Sequence, residues 1–232
     1  MIVFRSVDLE TAVPGIMIED IRVSPIQRSA TIRPRPIQPG VDFVRIVEGE
    51  RTVTITFSIL ELDRNKRRRL LDDLARWALS SSPEALILPY RENRVLYAIC
   101  TAIPEPSTRQ WWETKLSLTF TAYDPFFYGP EKSVACGTAF FVGGSGIPKM
   151  RIERTLTAQA SDQSYSDGTN TMIFSTIPAG ALVIDLNRQT AAVGGSSIME
   201  YWPLTGAAFI VPRRGTMTIT GTGTVKYREA YE

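Results

Sequence analysis

Residues 115–129 read KLSLTFTAYDPFFYG, and this stretch constrains the fold more than any other in the chain. Leu116, Leu118, Phe120 and Ala122 alternate with Ser117, Thr119, Thr121 and Tyr123, the period-two pattern of a strand with one buried face. The alternation stops at Asp124-Pro125, where proline removes a ladder donor and drives the preceding residue out of helical geometry. Three aromatics (Phe126, Phe127, Tyr128) and Gly129-Pro130 follow. The chain therefore leaves a sheet at an aromatic-plugged exit, which predicts a domain boundary here and divides the 232 residues into 1–129 and 130–232.

Each half is long enough to bury a core of its own. Residues 1–129 carry 17 Lys+Arg against 16 Asp+Glu, and residues 130–232 carry 9 against 8, a surplus of one in each half. No basic face of the kind that nucleic-acid binding needs is implied. Cys100 and Cys136 sit in strand-like apolar contexts and read as two reduced core thiols rather than a disulfide. The N-terminus lacks the basic and apolar regions of a secretory signal. No apolar stretch approaches the ~20 residues that span a bilayer. The expectation is a soluble protein made in a reducing compartment, with no membrane insertion.

Histidine is absent. That removes Ser-His-Asp and Cys-His nucleophile activation, imidazole acid–base work and nearly every common zinc site. Residues 162–169, DQSYSDGT, look superficially like a calcium loop. Gly168 falls one place late, however, and the twelfth position is Ile173 rather than a bidentate glutamate. An Asp-Gly turn accounts for them better. The glycine clusters at 143–146 and 194–195 lack nucleophile-elbow spacing, and 221–223 reads as a hairpin turn. No catalytic residue, cofactor site or metal site is expected.

In the N-terminal half, residues 51–59 alternate cleanly, with Val53, Ile55, Phe57 and Ile59 opposite Thr52, Thr54, Thr56 and Ser58. Hydroxyls in place of charges suit a strand whose second face is partly covered. Residues 63–81 give the one convincing helix. Asp63 can cap it, and Leu70, Leu71, Leu74, Trp77 and Ala78 share a side. On the wet side Arg68 and Arg69 can pair with Asp72 and Asp73, and Asp72 with Arg76, so KRRR at 66–69 reads as a solvated face. Strands, one amphipathic helix, then strands predict an α+β domain in which a single helix covers a sheet.

Between two of those strands, residues 24–42 hold four prolines (Pro25, Pro34, Pro36, Pro39) and three arginines (Arg28, Arg33, Arg35). Proline at this density rules out a central strand and favours extended, polyproline-like backbone. The segment reads either as a solvated loop or as an arm that docks on a neighbouring subunit, since a structureless loop of this length is unusual in a compact domain. Trp111 and Trp112 serve equally well as core and rim anchors or as an interface hot spot. The candidate partner interface is therefore Arg28, Arg33, Arg35, Trp111, Trp112, Phe126 and Phe127.

From residue 130 onward no helical period is found. Apolar runs at 134–142, 148–154, 172–177, 181–186, 189–193, 207–211, 216–219 and 225–227 alternate with Gly, Asp-Gly and Pro turns. Eight short strands at such spacing predict an all-β sandwich or jelly roll. Tyr201 and Trp202 could form an aromatic platform for a sugar.

The order of these segments resembles the distal tail protein (Dit) family of siphophage baseplate hubs. The likeness rests on ERTVTITFSI, the KRRRLLDDLARWA helix and DPFFYG in the first half. In the second it rests on AGALVIDLNRQTAAVGG (179–195), YWPL (201–204) with FIVP (209–212), and the terminal TVKYREAY. Where the family often has Gly-Asn before Pro148, this chain has Gly144-Ser145-Gly146. The resemblance implies a non-enzymatic virion protein at the tail tip, assembled in the host cytoplasm. It implies a hexameric ring of N-terminal domains with galectin-like C-terminal domains projecting outward. The implied partners are the tail tube protein, the tail-associated hub or fibre protein and the tape measure protein, with phage DNA passing through the lumen without specific binding. Two rivals are a carbohydrate-binding module using Tyr201 and Trp202, and a carboxylate-dependent hydrolase. For the hydrolase, Asp162, Asp185 and Glu200 would be the residues to test.

Overall fold

A computed structural model describes residues 1–34, 41–103, 107–110, 113–202 and 208–232. The chain divides into two compact units, Met1–Phe127 with Glu232, and Tyr128–Tyr231. The protein is mainly β, and the division falls two residues before the expected one.

The first unit contains β1 (Val3–Phe4), β2 (Val7–Asp8), α1 (Leu9–Ala12), β3 (Ile16–Val23), β4 (Arg28–Pro34), β5 (Val41–Glu48) and β6 (Arg51–Leu60). It continues with α2 (Arg64–Ala78), β7 (Glu84–Ile87), β8 (Leu96–Ala102), β9 (Ser107–Gln110) and β10 (Glu113–Ala122). An antiparallel sheet runs β2-β1-β7-β8-β10-β6-β3, with β9 beside β10. The two alternating segments seen in the sequence are central neighbours. Leu118 lies opposite Ile55 and Phe120 opposite Val53, so their apolar sets share one face. Val53, Ile55, Phe57, Ile59, Leu118 and Phe120 are fully buried, while Thr52, Thr54 and Thr56 on the other face are half-buried.

α2 covers the apolar face. Asp63 caps it by accepting from the Asn65 and Lys66 amides, at 2.8 and 3.4 Å. Leu74, Trp77 and Ala78 point inward. The Trp77 ring meets Phe4 edge-on at 5.7 Å and Phe120 at 6.1 Å, closing an aromatic triangle between helix and sheet. The helix ends at Ala78, three residues before the expected stop. Its ion pairs also differ from the expected i,i+4 set: Arg76 pairs with Asp73 one residue nearer, and Lys66 reaches back to Glu61. Both cations are exposed, so side-chain entropy leaves little to choose between one register and the next.

The proline-rich segment is the main departure. Arg28–Pro34 and Val41–Glu48 form an antiparallel hairpin that pairs with itself and with no other described strand. Proline excludes a central strand, but in a detached ribbon Pro34 sits at a strand end, where the missing donor costs little. The solvated-loop and polyproline expectations are thereby corrected for residues 28–34 and 41–42. The remainder of the proline-rich tip lies outside the described residues.

A short strand, β11 (Phe127–Tyr128), leads into the second unit, which is all β. It comprises β12 (Lys132–Ala135), β13 (Ala139–Val142), β14 (Lys149–Leu156), β15 (Ala160–Ser166), β16 (Thr171–Ile177) and β17 (Gly180–Asp185). The rest are β18 (Thr190–Val193), β19 (Ser196–Ser197), β20 (Gly215–Thr218), β21 (Thr224–Arg228) and β22 (Ala230–Tyr231). A six-stranded sheet, β12-β21-β14-β17-β18-β19, shares one core with the β13–β20 and β15–β16 pairs. The run at 134–142 proves to be two strands broken at Gly137, whose φ of 86° favours glycine. Residues 208–211 form no strand, although Ile210 is buried. β15 escaped the sequence reading because Tyr165 is its one buried apolar side chain.

Candidate docking surfaces

The detached hairpin is the feature that calls for a partner. In an antiparallel ribbon directly opposed residues share a face. Ala30 opposes Ile46 and Ile32 opposes Phe43, and a bulge between these two pairs accommodates Val44 as an extra residue. Without the bulge Phe43 and Ile46, three apart, would fall on opposite faces. With it, Ala30, Ile32, Phe43 and Ile46 make one apolar stripe. Thr31 and Arg45 are opposed on the other face. Phe43 is 63% exposed, Ile46 57% and Ile32 55%. An uncovered stripe of large apolar side chains on a projecting ribbon is the signature of an interaction surface.

The root of this arm is fixed by charge. Arg28 pairs with Glu48 across the hairpin and with Glu232, and Arg91 donates to the Glu232 backbone carbonyl at 3.0 Å. Arg51, which starts β6, is 4% exposed. Burial, followed by repulsion from Arg91 and Arg28, presses its guanidinium below the usual range, with Glu232 pulling the other way. The Phe127 ring is approached by two cations, the Arg91 and Arg51 guanidinium carbons lying 4.2 and 5.2 Å from its centroid.

The residues singled out in the sequence fare differently. Arg28 and Arg33 are exposed on the arm. Arg35, Trp111 and Trp112 lie outside the described residues. Phe126 and Phe127 are buried, at 8% and 0% exposure, so their ring surface is spent inside the protomer rather than presented to a partner. Tyr201 and Trp202 are half-buried against the second core. Trp202 stacks on Phe209 at 4.4 Å and meets Phe174 edge-on, which covers one face of its ring.

Two of the carboxylates in these segments shape turns. Asp167 accepts from the Thr169 and Asn170 amides, shaping the Asp-Gly turn, and stands 3.3 Å from Arg213. Asp185 accepts from the Asn187 and Arg188 amides in the next hairpin. Among the described residues no group of three acidic or cysteine side chains is placed to hold a metal ion. Burial pushes both free thiols, Cys100 and Cys136, above their ordinary range. Also among the described residues, no helix is long and apolar enough to cross a membrane.

The arm stripe was missed in the sequence because its members become coplanar only through pairing and a bulge. The signal present was the apolar content of VDFVRIVE at 41–48, masked by the neighbouring prolines.

No family model and no curated protein matches the chain. Solved structures do. The SPP1 Dit protein, described as a paradigm of the hub adsorption apparatus of phages infecting Gram-positive hosts, superposes with a TM-score of 0.75. The match has 15% identity and covers 100% of this chain and 98% of that one. This chain has the Dit fold. A second match, in the phage P2 baseplate in its activated conformation with calcium, has a TM-score of 0.51 at 10% identity. It covers 94% of this chain and 91% of that one. The Dit likeness thus runs through both units, the order of elements being shared end to end while few residues are.

Proposed function

We propose that this protein is a structural component of a phage tail tip, a hub that assembles with copies of itself and with neighbouring tail proteins. The observation carrying this reading is the arm: a Dit-like fold from end to end that holds out an apolar ribbon which none of the described residues covers. A head-to-tail contact, in which a projection on one copy meets a different surface on the next, closes into a ring when the rotation permits. A hexamer joining the tube protein to a hub or fibre protein, with DNA passing through the lumen, is the form this reading takes. Near-neutral charge suits such a passage, since a strongly basic wall would hold the polyanion by counterion release. The reading requires no catalytic step.

Light scattering or sedimentation of the purified protein, alone and with its tube protein, tests it. A closed oligomer under either condition is the expected result. A strict monomer in both would remove the basis for the ring.

A further inference from the structure

The ring reading leaves open where the arm goes. We propose that a groove lined by Phe4, Val7, Ala12 and Trp77 receives the arm's apolar stripe from a second copy of this chain. The inference rests on the self-assembly proposed above and adds its acceptor site.

The groove lies where β1, β2 and α1 meet α2. Its volume is about 360 Å³, and Arg5, Asp73 and Arg76 complete its lining. Buried Phe4 and Trp77 form its floor, and Val7, 45% exposed, stands at its mouth. An apolar cavity of about 150 Å³ suffices to bind benzene. The groove therefore has room for the Phe43 ring with a flanking aliphatic side chain. Ile32, directly opposite Phe43 on the ribbon, is the side chain that would accompany it.

The lip is a tight hairpin. Arg5 and Ser6 both have positive φ, 54° and 63°, the sign that a two-residue type I′ turn needs at both positions, in the loop joining β1 to β2. Here the Arg5 guanidinium donates to the Leu79 carbonyl at 2.6 Å, which ties the turn to the end of α2, and the Trp77 indole donates to the Val7 carbonyl at 3.0 Å. The Asp73–Arg76 ion pair provides a polar rim. A second groove of about 400 Å³, bounded by Arg5, Leu79 and Glu84, adjoins the first across Arg5. Leu79 there is 58% exposed. Successive same-face pairs on a strand are about 7 Å apart, so a ribbon with one pair seated in the first groove continues along this track.

The occupant is a copy of this chain because the two halves of the contact are complementary and both are encoded here. A knob and a groove on different parts of one surface make a heterologous contact, the kind that generates rings. Apolar aromatic and aliphatic anchors enclosed by a polar rim are also the composition of a protein–protein hot spot.

Site-directed cross-linking tests this. In a Cys100→Ser, Cys136→Ser background, Phe43→Cys and Val7→Cys proteins are mixed, allowed to assemble with or without tube protein, and oxidised. Non-reducing electrophoresis should show a covalent dimer in the mixture, absent from either variant alone and from a mixture of Phe43→Cys with exposed Met17→Cys. Leu79→Cys provides a second acceptor position should Val7→Cys fold poorly. Separately, Val7→Arg should weaken assembly at least tenfold with an unchanged unfolding midpoint. If rings form but neither acceptor cross-links, or if cross-links to Met17→Cys match those to Val7→Cys, the groove is not the acceptor and the ring reading survives. Should no oligomer form at all, both fall. Cross-linking of the arm to tube protein instead of to its own kind would assign the stripe to a different partner and overturn the inference.

Discussion

Glu229 and Lys132 meet at 2.9 Å, and the same carboxylate oxygen accepts from the Gly143 amide at 3.0 Å while the Tyr231 hydroxyl donates to the other oxygen at 2.6 Å. Burial opposes ionisation of Glu229, but these donors outweigh it and hold the carboxyl at about 2. A depressed folded-state value means that the stabilisation is present above the unfolded value, near 4.3, and is lost as pH falls toward 2. Glu229→Gln should therefore cost roughly 2–3 kcal/mol at neutral pH and flatten the acid limb of the stability curve between about pH 4.5 and 2. Urea midpoints across that range provide the measurement. An unchanged acid limb would show that the carboxylate is not the group being titrated.

Gly144 explains a local choice in the sequence. Its φ is 89°, and a Cβ there would overlap the Ala230 carbonyl, which accepts from the Ser145 and Gly146 amides at 2.8 and 3.1 Å. Backbone strain and backbone collision act together, with no flexible side chain to yield. Gly144→Ala should lose more than about 2 kcal/mol in thermal or denaturant unfolding. Gly137→Ala, also at positive φ but with nothing within 4 Å of its Cβ, should lose less.

Asp63 satisfies two amides at the start of α2. Asp63→Ala should cost about 1 kcal/mol and Asp63→Asn a few tenths. Asp72→Ala on the exposed face of the same helix should stay within about 0.5 kcal/mol. Equal losses at 63 and 72 would mean that general charge, rather than the cap, sets helix stability.

What could be seen in the sequence was what local periodicity records. Val53 to Ile59 and Leu116 to Ala122 announced two strands because each buries one face, and the sheet brings those faces into register. Asp63 and the spacing of Leu74, Trp77 and Ala78 announced the helix for the same reason. The chain divides between Phe127 and Tyr128, inside the aromatic exit. Features that depend on pairing were not legible. Ile32 and Phe43 are eleven residues apart across a proline-rich tip, and only a hairpin with a bulge places them side by side. Phe4, Val7, Ala12 and Trp77 come from four separate elements, and no window of sequence contains them all. Polar β15 had no period to read, since its partner strand rather than its own side chains defines it.

The arm itself supplies the sharpest prediction, because its stripe costs the protomer nothing to lose. Ile32, Phe43 and Ile46 touch solvent on more than half their surface, so replacing all three with serine should leave the unfolding midpoint almost unchanged. A buried set of this size would cost several kcal/mol for each side chain truncated. Assembly should respond in the opposite sense, weakening at least tenfold, since the same side chains would then be the anchors of the contact. Arg28 and Glu48 face each other at the root, so a two-residue turn can also replace the whole hairpin without disturbing β6. That shortened chain should fold, melt near the parent temperature and remain monomeric. Scattering and calorimetry on the two variants decide the matter together. Intact oligomers in both would show that the stripe joins nothing to itself, and a collapse in stability would show that it is core.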